Sequence, residues 1–284
     1  MVSIVITAYN VGEYIREAIE SVLQQSHTDI ECIVVEDCSD DSTLSIIEEL
    51  KEGDNRIRLL RNEQNIGAGA SRRRGIEAAT GEYILLLDGD DTIESDFIET
   101  LYRSAIENDA DIVSGGITVI NPDGSREASS YGNCITEGTE KIEKFWGEKI
   151  VFMNNKLIRR RLYEATPYST RRFIEDTPTI IKLLYHANKV VYTGNMGYNY
   201  RMHGESLTHK ASDFKFALFR ALCVEELVSF FEKHDKEYLK RIPLGRSYTA
   251  LISQIKEMNP QKEWIKEFAD EWIDFTTALI KRMA

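Results

Sequence analysis

Val2-Ser-Ile-Val-Ile-Thr7 is a β-branched run of strand length, and Tyr9-Asn10-Val11-Gly12 behind it is turn chemistry. From Glu13 to Gln25 the apolar residues Tyr14, Ile15, Ala18, Ile19, Val22 and Leu23 recur at helical spacing, which gives that helix one buried stripe. A second apolar run at residues 30–35 closes in Glu36-Asp37. The opening unit is therefore strand, helix, strand, and it repeats. Residues 42–50 read as a helix stopped by Gly53, and residues 57–60 as a strand. After Asn65-Ile-Gly-Ala-Gly69 comes a helix through Ala79, stopped by Gly81, and residues 83–87 form a fully apolar strand.

Continuous apolar strands alternating with amphipathic helices predict an α/β fold with a mostly parallel central sheet covered by helices on both faces. Ligands of such sheets bind at the carboxyl ends of the strands, so residues 7–10, 36–41, 62–69 and 88–91 are the ones to inspect. Further on, residues 97–108 look helical and 112–120 strand-like. Asn121-Pro-Asp-Gly124 is a hairpin turn, and the polar stretch 125–139 reads as a mobile loop. From residue 209 to 284 the pattern is helical. The expected organisation is one domain over 1–208, with a ligand-binding half at 1–95 and a second half at 96–208, followed by a helical extension.

With a formal net charge of −12, the surface is a poor match for nucleic acid, whose binding draws on Lys and Arg contacts to phosphate. An acidic chain that takes an anionic ligand needs a local cation, either a metal ion or an arginine. Cys32, Cys38, Cys134 and Cys223 show no C-x-x-C spacing, so reduced cytosolic thiols are the simple expectation. No apolar run approaches the ~20 residues of a membrane-spanning helix, and residues 1–7 run straight into a strand rather than a signal peptide. The expected location is cytoplasmic. The basic, aromatic-bearing tail offers a contact for the inner membrane face or for a second copy of the chain.

Leu85-Leu-Leu-Asp88-Gly-Asp90-Asp91 places three carboxylates within four positions at the end of a buried strand. Like charges this close stay ionised comfortably only beside a cation, and hard oxygen ligands suit Mg²⁺ or Mn²⁺. A helix cap by Asp91 or Thr92 would account for only one of the three. Asp37 follows the second strand, where a carboxylate can hold a ribose hydroxyl or a base N–H; Asp40, Asp41 and Ser42 leave it free of capping duty. Thr7 and Tyr9 end the first strand, where the Tyr9 ring is placed to stack on a base. Arg72-Arg-Arg74 offers a guanidinium to a diphosphate. Asp176, two residues before Pro178, reads on its own as an N-cap. His203 lies in a polar stretch with Arg201 and is a candidate for metal or phosphate.

Together these segments resemble the family 2 glycosyltransferases of GT-A fold. The matching pieces are residues 2–10, Val35-Glu-Asp37-Cys-Ser, Asn65-Ile-Gly67, Arg72-Arg-Arg-Gly75, Gly81-Glu-Tyr-Ile84, Leu87-Asp-Gly-Asp-Asp91, Asn155-Lys-Leu157, Glu175-Asp176 and Tyr200-Arg201 with Ser206-Leu-Thr208. They span about the first three quarters of the chain. The resemblance implies that Thr7, Tyr9 and Asp37 hold a uridine-type nucleoside and that Arg72 meets the diphosphate, although the family's following Asn is Arg73 here. It also implies that Asp88 contacts ribose or a metal-bound water, that Asp90 binds a divalent metal with His203 a further candidate, and that Asp176 is the general base rather than a cap. The implied reaction is inverting transfer of a sugar from a nucleotide-diphosphate donor, a UDP-sugar, to a hydroxyl of a saccharide or lipid-linked acceptor in bacterial surface-polysaccharide assembly. Two other readings stand beside it. One is a haloacid-dehalogenase-like phosphatase using Asp88 as nucleophile. The other is a non-catalytic nucleotide-sugar binding protein with no use for Asp176.

Overall fold

The computed structural model of the chain describes residues 1–130, 132–142, 144, 152–171, 174–203, 213–236 and 238. The expected alternation is present in order: β1 (Val2–Ala8), α1 (Ile15–Leu23), β2 (Ile30–Glu36), α2 (Thr43–Gly53), β3 (Ile57–Arg61), α3 (Ala68–Ala78) and β4 (Tyr83–Asp88). There follow β5 (Thr92–Ile93), α4 (Phe97–Asn108), β6 (Ile112–Ile120), β7 (Arg126–Ser129), β8 (Cys134–Glu137) and β9 (Lys156–Arg159). The last described elements are α5 (Arg161–Ala165), α6 (Asp176–His186), β10 (Lys189–Arg201) and α7 (Asp213–His234).

All ten strands form one sheet whose main path is β3-β2-β1-β4-β9-β6-β10-β5. Only β9 and β5 pair antiparallel to their neighbours on this path, so its other six strands share one direction. Strands β1, β2 and β4 are buried on both faces. Val5, Ile33, Val35, Ile84 and Leu86 join the core beneath α3 and α6. Ile4, Ile6, Cys32, Val34, Leu85 and Leu87 face the opposite core with α1 and α4. Double burial is why these strands are continuous apolar runs rather than alternating ones.

Two glycines let α3 lie close to its neighbours. A Cβ at Gly75 would collide with the Val5 side chain of β1, and one at Gly69 would stand 2.7 Å from the Ser169 carbonyl and 2.8 Å from that of Arg171. That approach brings α3 against the segment leading into α6.

The second half departs from expectation in two places. Residues 125–139 are not a loop: β7 pairs with the outer part of β6, and β8 pairs with the start of β10. Both are polar, because edge strands are recruited by unpaired backbone groups and do not need an apolar face. Strand β10 escaped the sequence reading because its register against β6 shifts between Tyr192 and Met196 and again between Met196 and Tyr198, which destroys the period-2 pattern. Of the helical extension expected from residue 209, α7 is described, and Leu218, Phe219, Leu222, Leu227 and Phe231 pack into the same core as α6. Glu226 accepts from Arg171 and from Lys182 of α6, which fastens the helix further. The rest of that extension lies outside the described residues.

Candidate active site

Strand β1 lies between β2 and β4, with Thr7 level with Val35 on one side and Asp88 on the other. The ends of the three strands therefore deliver their following residues to one edge of the sheet. Two turns bind these ends together. Asn10 (φ 51°) accepts from the Asp40 amide at 3.0 Å and donates its own amide to Ser39 Oγ at 3.1 Å. Asp41 accepts from the amides of Gly12 and Thr43, both at 2.9 Å, where α2 begins after its N-cap residue Ser42, and Asp37 takes no part in that start. Tyr9 stands beside this edge with 48% of its surface exposed.

Asp37 is buried, and its carboxylate accepts three hydrogen bonds: from Asn62 Nδ2 at 2.7 Å and from the backbone amides of Ile66 and Gly67 at 2.9 Å each. Gly67 adopts φ 86°, which turns its amide back toward the carboxylate just before α3 begins. Asp37 thus fixes the loop between β3 and α3.

The Asp88-Gly-Asp90-Asp91 turn divides three carboxylates among three surroundings. Gly89 donates to the Thr7 carbonyl, and a Cβ there would stand 2.9 Å from that oxygen. Asp88 accepts from Arg72 Nη2 at 2.7 Å on one oxygen and from Asn154 Nδ2 at 2.8 Å on the other, with Thr7 Oγ1 at 3.4 Å. Asp91 is not the helix cap that its position suggests, because α4 begins after Asp96. Its buried carboxylate accepts from the Tyr198 hydroxyl at 2.5 Å and the Arg201 amide at 2.8 Å, tying the turn to β10. Asp90 meets His203 Nε2 at 2.8 Å, and the His203 ring stacks on Tyr14 with centroids 5.0 Å apart. Burial, aided by the neighbouring carboxylates, holds Asp90 above the usual carboxylate range and Asp91 well above it.

Among the described residues, carboxylate oxygens of Asp88, Asp90 and Asp91 lie within 4.8 Å of one another. Asp88 and Asp91 have already spent oxygens on protein donors, whereas Asp90 offers its second oxygen beside an imidazole. A hard carboxylate with an imidazole nitrogen suits Mn²⁺ or a similar divalent ion, and such an ion would relieve the crowding that helps to raise Asp90 and Asp91.

Asp176 is the first residue of α6, and its carboxylate does not cap the helix. It accepts instead from the Tyr168 hydroxyl and lies 3.6 Å from Arg72 Nη1, which also pairs with Glu175. The Asp176 side chain keeps 30% of its surface open, the access that an acceptor hydroxyl needs, while the packing around it strips enough water to raise its pKa. Glu175 is raised for the same reason, and by the charge of Asp176. Ile174, just before this pair, holds φ 56°, a left-handed conformation that a β-branched residue adopts only under constraint.

Of the residues singled out in the sequence, Arg72 therefore joins Asp88 to Asp176, Asp90 meets His203, and Thr7 touches Asp88; Asp37 lies across the end of β1 from Asp88. The guanidinium expected on a diphosphate is found on carboxylates. Asn154, Tyr168 and Tyr198 were missed. The sole sequence sign of Asn154 is the polar run Asn154-Asn155-Lys156 set between apolar residues, all three of them buried.

The sheet order, the strand-end acids and the helix-borne carboxylate pair define an enzyme of the GT-A glycosyltransferase architecture. The profile described as glycosyl transferase family 2 matches residues 3–166, more than half of the chain, and the chain belongs to that family. It is similar to glycosyltransferase GlyG of Streptococcus pneumoniae serotype 4, 32% identical over 228 residues that cover 76% of each protein. It is also similar to EpsH of Bacillus subtilis, 32% identical over 274 residues covering 93% of this chain and 77% of EpsH. The structure of S. aureus TarS 1-349 in complex with UDP superposes with a TM-score of 0.70 at 20% identity, over 99% of this chain and 81% of that one. The chain is thus a glycosyltransferase, and the phosphatase alternative is set aside.

Proposed function

We propose that this enzyme transfers a sugar from a UDP-sugar to a hydroxyl of a saccharide or lipid-linked acceptor, with inversion, and that it serves the assembly of a bacterial surface polysaccharide at the cytoplasmic face of the membrane. The observation that carries the reading is the junction of Asp88 with Asp176 through Arg72, beside the Asp90–His203 pair. It sets an acid suited to a cation next to an open carboxylate suited to a proton.

In this reading Thr7, Tyr9 and Asp37 hold the nucleoside, with the Tyr9 ring against the base and Asp37 fixing the loop that walls it. Asp90 and His203 would hold a divalent ion, with Asp88 as a neighbouring carboxylate, and that ion would supply Lewis-acid relief of the charge that develops on the departing diphosphate. Asp176 takes the proton of the acceptor hydroxyl as that oxygen attacks the anomeric carbon from the face opposite the leaving group. A single in-line displacement inverts the configuration. Among the described residues no helix is long and apolar enough to cross a membrane, so contact with a lipid-linked acceptor would be peripheral.

Thermal-shift measurements with nucleoside diphosphates, with and without Mn²⁺, test the donor class, because a ligand that binds only the folded form raises the melting temperature. UDP is expected to stabilise the protein only when Mn²⁺ is present. Stabilisation by a purine diphosphate alone, or by none, would overturn the assignment.

A further inference from the structure

Arg72 opens the run Arg72-Arg-Arg74 on α3, and sequence reasoning sends it to the donor's phosphates. Its neighbours in the structure are different. Nη2 donates to Asp88 at 2.7 Å, and Nη1 pairs with Glu175 and lies 3.6 Å from Asp176. The guanidinium carbon stands 6.0 Å from the ring centre of Tyr168, the same tyrosine whose hydroxyl donates to Asp176. Only 7% of the residue is exposed, and Nε is buried without a partner. Gly69, one turn earlier on α3, lets the helix lie close against the Ser169 and Arg171 carbonyls and the Glu175 side chain, in the segment carrying the base.

Three carboxylates thus converge on one planar fork. A guanidinium held this way has its donors fixed in direction, and moving it onto a phosphate would leave the buried Glu175 without its cation and take the cation from Asp88 and Asp176. An ion held by Asp90 and His203 would supply the cation that an acidic protein needs to bind an anionic ligand.

Resting on the transferase reading, we propose that Arg72 is a positioning residue for the general base rather than a phosphate ligand. Its two nitrogens hold Asp88 on one side and the Glu175-Asp176 pair on the other, which sets the carboxylate of Asp176 against the turn that bears the cation site. The lysine at 156, also buried, adds positive potential to the same cluster.

The test uses three variants of the full chain, R72K, R72Q and E175Q. UDP with Mn²⁺ is the calorimetric probe, and turnover is followed with whichever UDP-sugar the wild-type enzyme consumes. R72K keeps the charge and loses the fork. It is expected to bind UDP within about threefold of wild type while kcat falls by about tenfold or more, with the donor KM little changed. R72Q removes the cation that favours the ionised base, so the acid limb of its kcat profile moves to higher pH. E175Q removes a competing carboxylate and moves that limb to lower pH, and it carries the test if both Arg72 variants fail to fold. A tenfold or greater loss of UDP affinity in R72K with kcat retained overturns the proposal, as does a fall in kcat with no displacement of the acid limb in R72Q or E175Q. A wild-type protein that neither binds UDP nor consumes a UDP-sugar sinks the transferase reading itself, an outcome distinct from the loss of affinity in a variant alone.

Discussion

Asp37 fixes the loop that enters α3 and Asp176 meets Arg72 on that helix, and the two acids are held by opposite kinds of partner. The Asp37 carboxylate is enclosed by an amide side chain and two backbone N–H groups, partners that cannot gain or lose charge. Asp176 is held by a phenol and by a guanidinium shared with two other acids, and part of its surface is open. The first environment fixes geometry. The second suits the proton transfer proposed for Asp176, because burial raises its pKa while Arg72 opposes that rise.

The largest expected effect breaks the comparison on the Asp176 side. D176N preserves shape and the Tyr168 contact but cannot accept a proton, so turnover should fall by about 10²- to 10⁴-fold while UDP affinity in Mn²⁺ stays within error. Retained turnover would remove Asp176 from the chemistry. On the Asp37 side the expected pattern is reversed. D37N leaves one carbonyl oxygen where two oxygens accepted three donors, and its new amide N–H faces another donor. A stability loss of about 1–3 kcal/mol in denaturant unfolding, with a weaker UDP affinity and a kcat changed far less than in D176N, is expected. Equal effects of the two substitutions on kcat would erase the distinction.

The two sides also differ in how far the sequence disclosed them. Strands β1, β2 and β4 were readable because strands buried on both faces must be apolar throughout, and Asp37 and Asp88 were found because they end such strands. The Asp176 side is assembled from α3, the segment before α6, the four-residue β9 and the bulged β10, and a pairing between distant segments leaves no local pattern. Asn154, which donates to Asp88 and Tyr198, and Tyr168, which donates to Asp176, are single polar residues whose role exists only after folding. Asp176 was recognised by the family's Glu-Asp motif. On local pattern alone it reads as a cap, and in the structure it caps nothing.

A smaller effect concerns stability. Asp90, Asp91, Glu175 and Asp176 all have pKa values raised in the folded protein, chiefly by burial. Above the ordinary carboxylate range the native state therefore binds more protons than the unfolded chain, and stability falls as pH rises through the raised values. Without added metal, the melting temperature is expected to drop between about pH 5 and pH 8, and Mn²⁺ should flatten that slope by favouring the ionised acids. A metal-free protein whose melting temperature climbs across this range would show that these carboxyls are not held protonated by their surroundings.

Lys156 tests the same cluster from the opposite sign, and with the least effect. Its ammonium is buried, donates to the Phe152 carbonyl and to Asn155 Oδ1 at 2.8 Å, and is pushed down to about 7 by loss of water, a shift that the charge of Asp176 opposes. Between that value and the ordinary lysine range the unfolded chain binds the extra proton, so this residue makes stability rise with pH where the carboxylates no longer titrate. K156M fills a similar volume without a charge and should lose that alkaline gain, so the stability difference between wild type and variant should change by roughly 1 kcal/mol or more between about pH 7 and pH 9. The substitution also takes positive potential away from Asp176, so the acid limb of kcat should move upward slightly while UDP affinity, which the proposed function assigns to the Asp37 side, should stay as it was. A K156M protein with the wild-type pH dependence in both measurements would mean that the ammonium is electrically isolated from the base, and that Arg72 alone compensates the three acids that meet there.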